Sequence, residues 1–339
     1  MKWKKLTIQT TTEALDYMGA IADELGLEGF EIEDNVPLTE EEKKSMFIDI
    51  LPELPPDDGS AKVHFYIDED ADAAQIGEAI KQAAAEYAEF CDFGSMKVIL
   101  SETEDKDWIN NWKQFFKPFR ADDDIVIKPT WTDVSELPDH KETDLIVEID
   151  PGTAFGTGAH ETTKLCIKGL KKYLNDNDKL LDVGCGSGIL SIMGMKLGAE
   201  SALGIDVDEN ASRTSVENCL INDIASSYIE DEEINALDII PLEKDKVRFF
   251  TGNVLEDENI CVKTGFDRFD VVVANILADI IIPLSKVTAK YMRKGALFIS
   301  SGIINTKEEA VKAAVLEAGF GIVEVKRMND WVSIIARKN

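Results

Sequence analysis

Apolar residues recur along the chain with two different periods, and the order in which these periods alternate predicts where strands and helices lie. Residues 3–11 read as a strand, followed by Leu15, Met18, Ala22 and Leu25 at the three- and four-residue spacing of a helix that Gly26 would end. Phe30 and Ile32 alternate like a strand. Beyond an acidic stretch holding Pro52, Pro55 and Pro56, alternation returns at Val63, Phe65 and Ile67 and then gives way to a helical stripe of Ile76, Ile80, Ala83, Tyr87 and Phe90. Residues 96–100 supply a fourth strand. Strand, helix, strand, strand, helix, strand is the order of a ferredoxin-like α+β domain, which is expected to occupy residues 1–104.

A polar, acidic stretch at 101–107 leads into Trp108, Trp112, Phe115 and Phe116, which mark one face of a short helix before Pro118. Aromatic stripes at this spacing serve packing more often than ligand contact, so residues 105–120 are expected to be a linker helix and residues 121–339 a second domain. Strands are read there at 125–127, 145–149, 180–183, 202–207, 247–254, 269–274 and 296–300. Helices are read at 210–220, 278–293 and 307–318, and strands 322–325 and 331–336 form a terminal hairpin. Such alternation of continuous apolar strands with helices is that of an α/β sheet covered on both faces. Residues 223–246, acidic and without clear period, are expected to be an insertion looping over the surface.

Candidate chemistry gathers in two glycine-rich stretches. In Leu-Leu-Asp-Val-Gly-Cys-Gly-Ser-Gly, the run beginning at Leu180, the glycines let the backbone turn sharply, and the helical pattern from Ser187 opens a helix N-terminus over the strand end. That arrangement binds nucleotide-like ligands. A dinucleotide fingerprint needs its third glycine where Ile189 stands, whereas Gly184, Gly186 and Gly188 alternate behind Asp182, as in the first motif of S-adenosylmethionine methyltransferases. Asp206 ends the next strand about twenty residues on, where an acid can accept both ribose hydroxyls; taken alone it could equally cap the helix near Glu209. The second stretch, residues 150–163, carries Gly152, Gly156 and Gly158 and reads as a lid, with Thr162 and Thr163 opening a helix that holds Leu165, Ile167 and Leu170. His160, one of three histidines, either touches the ligand or supports the loop by a hydrogen bond.

Composition narrows the partners. A net charge of −29 over 339 residues repels phosphate backbones, so direct nucleic-acid contact is not expected. The excess is uneven: residues 1–104 hold 8 Lys and no Arg against 25 acidic residues, a net −17, which suits a surface that attracts a basic protein. No apolar run is long enough for a bilayer, and Met1 to Lys5 lead into no signal-like core, so a cytoplasmic protein without membrane contact is expected; a monomer is expected as well. Five scattered cysteines without a Cys-x-x-Cys pair speak against structural zinc and a disulfide framework. No metal is expected.

Residues 108–120, the loop 150–163, the turn from Asp182 to Gly188 and the run Ala274-Asn275-Ile276-Leu277 together resemble the bacterial methyltransferases that modify large-subunit ribosomal protein eleven. The resemblance implies a seven-stranded Rossmann-like methyltransferase sheet behind a small substrate-recognition domain. It further implies methylation of lysine side chains and of the N-terminal amine of that ribosomal protein, with S-adenosylmethionine as methyl donor. Carried over by position, the family's cofactor contacts fall on Thr163, Gly184, Asp206 and Asn275; Gly186 in the turn and Phe155 in the lid join the cofactor-binding set, and Asn275 is the catalytic candidate. The sequence departs from the strand-end motif of amide and base methyltransferases, where two prolines follow the asparagine, because Ile276 and Leu277 stand there. Rival readings are a methyltransferase of a small molecule or nucleic acid, for which a catalytic domain alone would suffice, and a cofactor-binding scaffold without catalysis.

Overall fold

Alternating faces explain the first of two units into which the chain divides, Met1–Phe115 and Phe116–Asn339, in a computed structural model that describes residues 2–27, 30–37, 55–68, 70–104, 116–150, 160–236 and 239–339. Strands β1 (Lys2–Thr11), β2 (Phe30–Glu33), β3 (Ser60–Asp68) and β4 (Lys97–Glu104) form a sheet in the order β2-β3-β1-β4, every neighbour antiparallel. Leu6 and Ile8 of β1 and Val63, Phe65 and Ile67 of β3 turn to one face, where helices Leu15–Glu24 and Ala73–Glu86 bury Met18, Ile21, Ile80 and Ala84 against them. Asp72 starts the second helix by accepting the N–H groups of Ala74 and Gln75. Both helices lie on a single face of an antiparallel sheet, as in the ferredoxin-like arrangement.

In the second unit the strands are β5 (Phe119–Asp122), β6 (Ile125–Pro129), β7 (Leu145–Ile149), β8 (Lys179–Val183), β9 (Ser201–Asp206), β10 (Ala225–Tyr228), β11 (Lys246–Thr251), β12 (Phe269–Asn275), β13 (Met292–Ile304), β14 (Phe320–Met328) and β15 (Trp331–Lys338). Eight of them make one sheet in the order β10-β11-β9-β8-β12-β13-β15-β14. It is parallel from β10 to β13, and the terminal hairpin adds β15 and β14 antiparallel. Continuous apolar strands follow from burial on both sides. Leu180, Ala202, Val273 and Ile299 face Ile167 and Leu170 of helix Glu161–Tyr173, whereas Leu181, Ile205, Val272 and Phe298 face Ile281 and Leu284 of helix Ala278–Tyr291. A separate sheet of order β5-β6-β7 precedes it, with β6 and β7 parallel.

Two expectations change. The seven expected strands are present, and an eighth, β10, extends the edge. It comes from residues 223–246, which therefore do not simply loop over the surface: β10 pairs with β11, and Ile229, Ile234 and Ile240 are buried in the main core. Most of the linker helix expected at 105–120, including Trp108, Trp112 and Phe115, lies outside the described residues. Its last two residues, Phe119 and Arg120, belong to a strand. Proline at 118 interrupts a helical ladder, and the Arg120 guanidinium is held by the carboxylates of Asp139 at 2.7 Å and Asp144 at 2.9 Å. The guanidinium holds the Asp144 carboxyl well below the usual carboxylate range.

Candidate functional site

The strand order reverses beside β8: the chain passes from β8 through β9 to β11 on one side and from β12 to β13 on the other. Open α/β sheets bind ligands at the carboxyl ends of the strands at such a point. Here the glycine turn follows β8, Asp206 ends its neighbour β9, and Asn275 ends its other neighbour β12.

Each part of the turn has a local cause. Gly184, Gly186 and Gly188 have φ of 75°, 54° and 78°, a region that other residues enter at a cost. Main-chain N–H groups of Gly184 and Cys185 both donate to the Ile205 carbonyl, which ties the turn to β9. Asp206 completes the link: one carboxylate oxygen accepts from the Gly186 N–H at 2.8 Å and the other from the Asp208 N–H at 3.0 Å. Helix Glu209–Ile221 is capped by Asp208, through the Asn210 N–H, so Asp206 is not its cap. It remains partly exposed, with lone pairs left on both oxygens.

Across the crevice, the Asn275 amide donates to Thr163 Oγ at 3.0 Å, joining residues from β12 and from the first turn of helix Glu161–Tyr173. Its side-chain carbonyl oxygen is buried and has no partner among the described residues. A buried acceptor left open in this way is costly unless something else fills it. Gly184 and Asn275 are also close through the next residue, because a Cβ at Gly184 would stand 2.5 Å from Ile276 Cγ2.

His160 caps helix Glu161–Tyr173, its Nδ1 accepting from the Thr162 N–H at 3.3 Å, and its ring meets Trp331 edge-on at 4.8 Å. It thus supports the start of the helix that carries Thr163. Phe155 and the rest of residues 151–159 lie outside the described residues.

Three properties of the site were not read from the sequence, which named Asp182 only as part of the turn. Asp182 is fully buried and accepts both the N–H and the hydroxyl of Ser191 through one oxygen, and burial pushes its pKa up to about 7. Trp331 stands at the start of β15 against His160. The third is a buried polar face on helix Glu209–Ile221: Ser215 donates to the Gly186 carbonyl at 2.9 Å and Asn218 to the Ser187 carbonyl at 2.9 Å, while Asn218 accepts from the Asp150 N–H at 2.8 Å. Ser212, Ser215, Asn218 and Asn222 recur at three- and four-residue spacing, a helical period in polar residues that could have revealed it. The buried thiols of Cys166 and Cys185 are pushed up by desolvation and stay protonated, so neither is a nucleophile at neutral pH. Among the described residues, no helix is long and apolar enough to cross a membrane.

Comparison with known proteins agrees with this geometry. The model of the family described as ribosomal protein L11 methyltransferase (PrmA) matches residues 2–339. A ribosomal protein L11 methyltransferase of Lachnoclostridium phytofermentans is 55% identical over 100% of this chain and 99% of its own length. One of Lachnospira eligens is 46% identical over 100% of both chains. The crystal structure of a ribosomal protein L11 methylase from Lactobacillus delbrueckii subsp. bulgaricus superposes with a TM-score of 0.52 at 26% identity, covering 66% of this chain and 100% of that one. The chain therefore belongs to the ribosomal protein L11 methyltransferase family.

Proposed function

We propose that this chain methylates lysine side-chain amines and the N-terminal amine of ribosomal protein L11 in the cytoplasm, with S-adenosylmethionine as the methyl donor. The observation that carries the reading is the buried carbonyl oxygen of Asn275, without a partner among the described residues and fixed by Thr163 beside the glycine turn. It is an acceptor without charge, suited to an amine N–H. The residues present fit the donor. A turn of positive-φ glycines leaves room for close approach, and Asp206, fastened to Gly186 and partly exposed, keeps lone pairs for the ribose hydroxyls. Gly184, Gly186, Asp206, Thr163 and Asn275 would hold it, and Phe155 is proposed to join them.

When bound, S-adenosylmethionine supplies a methyl group on a sulfonium centre for attack by a nitrogen lone pair. The amine must therefore arrive neutral. A lysine with a pKa near 10.4 lies about 3.4 units above pH 7, a cost of roughly 4.6 kcal/mol, whereas an N-terminal amine near 7.8 costs only about 1 kcal/mol. Asn275 has no charge with which to deprotonate the amine, so its part is to accept an amine N–H and orient the nitrogen, while removal from water favours the neutral form.

Asn275→Ala is expected to fold, since it forfeits a single side-chain hydrogen bond worth about 1 kcal/mol, yet to lose most of its turnover. Asp206→Ala should instead weaken cofactor binding, seen by calorimetry, by roughly ten- to a hundredfold, as for loss of a charge-assisted bond worth about 1.5 to 3 kcal/mol. A folded Asn275→Ala protein with near-normal turnover would remove this residue from the chemistry.

A further inference from the structure

We infer that Gly302 is a positioning residue for methyl transfer, and that it acts by seating Ile276, and through it Asn275, against the glycine turn. This rests on the role proposed above for Asn275. Strand β13 runs beside β12 with Ser301 opposite Asn275, and its pairing with β15 becomes irregular between Ser300 and Ile303. Gly302 sits in that irregular stretch with φ of 86°. There the main chain of Ile276 comes close. Its N–H donates to the Ser301 carbonyl at 3.1 Å, and a Cβ on residue 302 would stand 2.3 Å from the Ile276 carbonyl oxygen, 2.7 Å from its carbon and 3.0 Å from its nitrogen.

All three obstacles belong to the main chain of Ile276, so no change of rotamer could clear them. On the other side, a Cβ at Gly184 would meet Ile276 Cγ2 at 2.5 Å. Ile276 is thus seated between two residues that lack side chains, one following β8 and one in β13, the two strands that flank β12. Its main chain continues directly into Asn275, whose side chain is pinned to Thr163. A side chain at 302 must push the 275–276 main chain aside and swing the open Asn275 oxygen with it. Misplacing a reacting or orienting group by about 1 Å can cost on the order of a hundredfold in rate.

Glycine at 302 could also do no more than permit the local backbone bend. The two roles separate in a double-mutant cycle, because a purely structural defect is felt whether or not Asn275 is present. Full-length wild type, Gly302→Ala, Asn275→Ala and the double variant would be compared for turnover at saturating S-adenosylmethionine and L11. The expected result is that Gly302→Ala lowers turnover about tenfold or more in the wild-type background and less than about twofold once Asn275 is alanine. Equal losses in both backgrounds, or unchanged turnover in Gly302→Ala, would overturn the inference. Near-normal turnover in Asn275→Ala alone would remove the reading of Asn275 itself and the inference with it, an outcome distinct from equal losses. If Gly302→Ala fails to fold, Ile276→Ala carries the same cycle, since it empties the seat from the side of Gly184. A loss that disappears in the Asn275→Ala background supports the seat, and an equal loss in both overturns it.

Discussion

Asp182 faces the same requirement as any fully buried carboxylate, that its charge be matched or removed, and its surroundings do not match it. Ser191 donates twice to one oxygen while the other has no partner among the described residues, and burial, reinforced by the nearby Asp206 charge, pushes the pKa up to about 7. An unfolded aspartate titrates near 3.9, so between about pH 4 and 7 the folded chain holds a proton that the unfolded chain has lost. The stability this gives is complete below about pH 4 and is lost as pH rises through 7. Asp182→Asn cannot lose a proton, so wild-type stability relative to this variant should fall, by a few kcal/mol at most, as pH rises from about 4.5 to 7.5 in denaturant titrations. A difference that stays constant with pH would mean that Asp182 is ionised throughout. What the sequence revealed at this scale was the turn itself, because tight backbone near a ligand demands glycines and an acid at fixed intervals. The hydrogen bond from Asn275 to Thr163 joins residues 112 apart in the chain, and no periodicity encodes it; the two were paired through family resemblance alone.

At the scale of elements, strands buried on both faces and helices with one apolar stripe were legible, since period and burial are directly linked in them. The segment 223–246 was not. Its strand, Ala-Ser-Ser-Tyr, is an edge strand with little apolar content, and its buried residues Ile229, Ile234 and Ile240 are spaced five and six apart, matching neither a helix nor a strand. Acidic neighbours completed the disguise, although Glu230 and Glu233 are anchored to Arg213 at 3.0 Å and Arg248 at 2.7 Å. Since Ile234 is 2% exposed, Ile234→Ala should cost about 2 to 4 kcal/mol of stability in denaturant unfolding, the range for emptying a packed isoleucine site. A cost below about 0.5 kcal/mol is typical of surface substitutions and would return the segment to the surface.

At the scale of the molecule, charge and architecture divide the work that the proposed function requires. Residues 1–104 carry a net −17 and supply none of the residues proposed for the methyl-transfer site, so they are proposed to dock the basic ribosomal protein while residues 116–339, with their own two cores, hold the methyl donor. Raising salt should then slow association of the full chain with L11, and a 116–339 fragment should keep cofactor affinity while losing most methylation of the intact protein. Efficient methylation by the fragment would refute the docking role. Methyl transfer to protein amines is the claim on which the rest depends, and mass spectrometry of purified L11 after incubation with the full chain and S-adenosylmethionine tests it most directly. The account predicts successive additions of single methyl groups on lysines and on the N-terminal amine, abolished or greatly slowed by Asn275→Ala; an unchanged L11 mass with folded, cofactor-binding wild-type protein would contradict it.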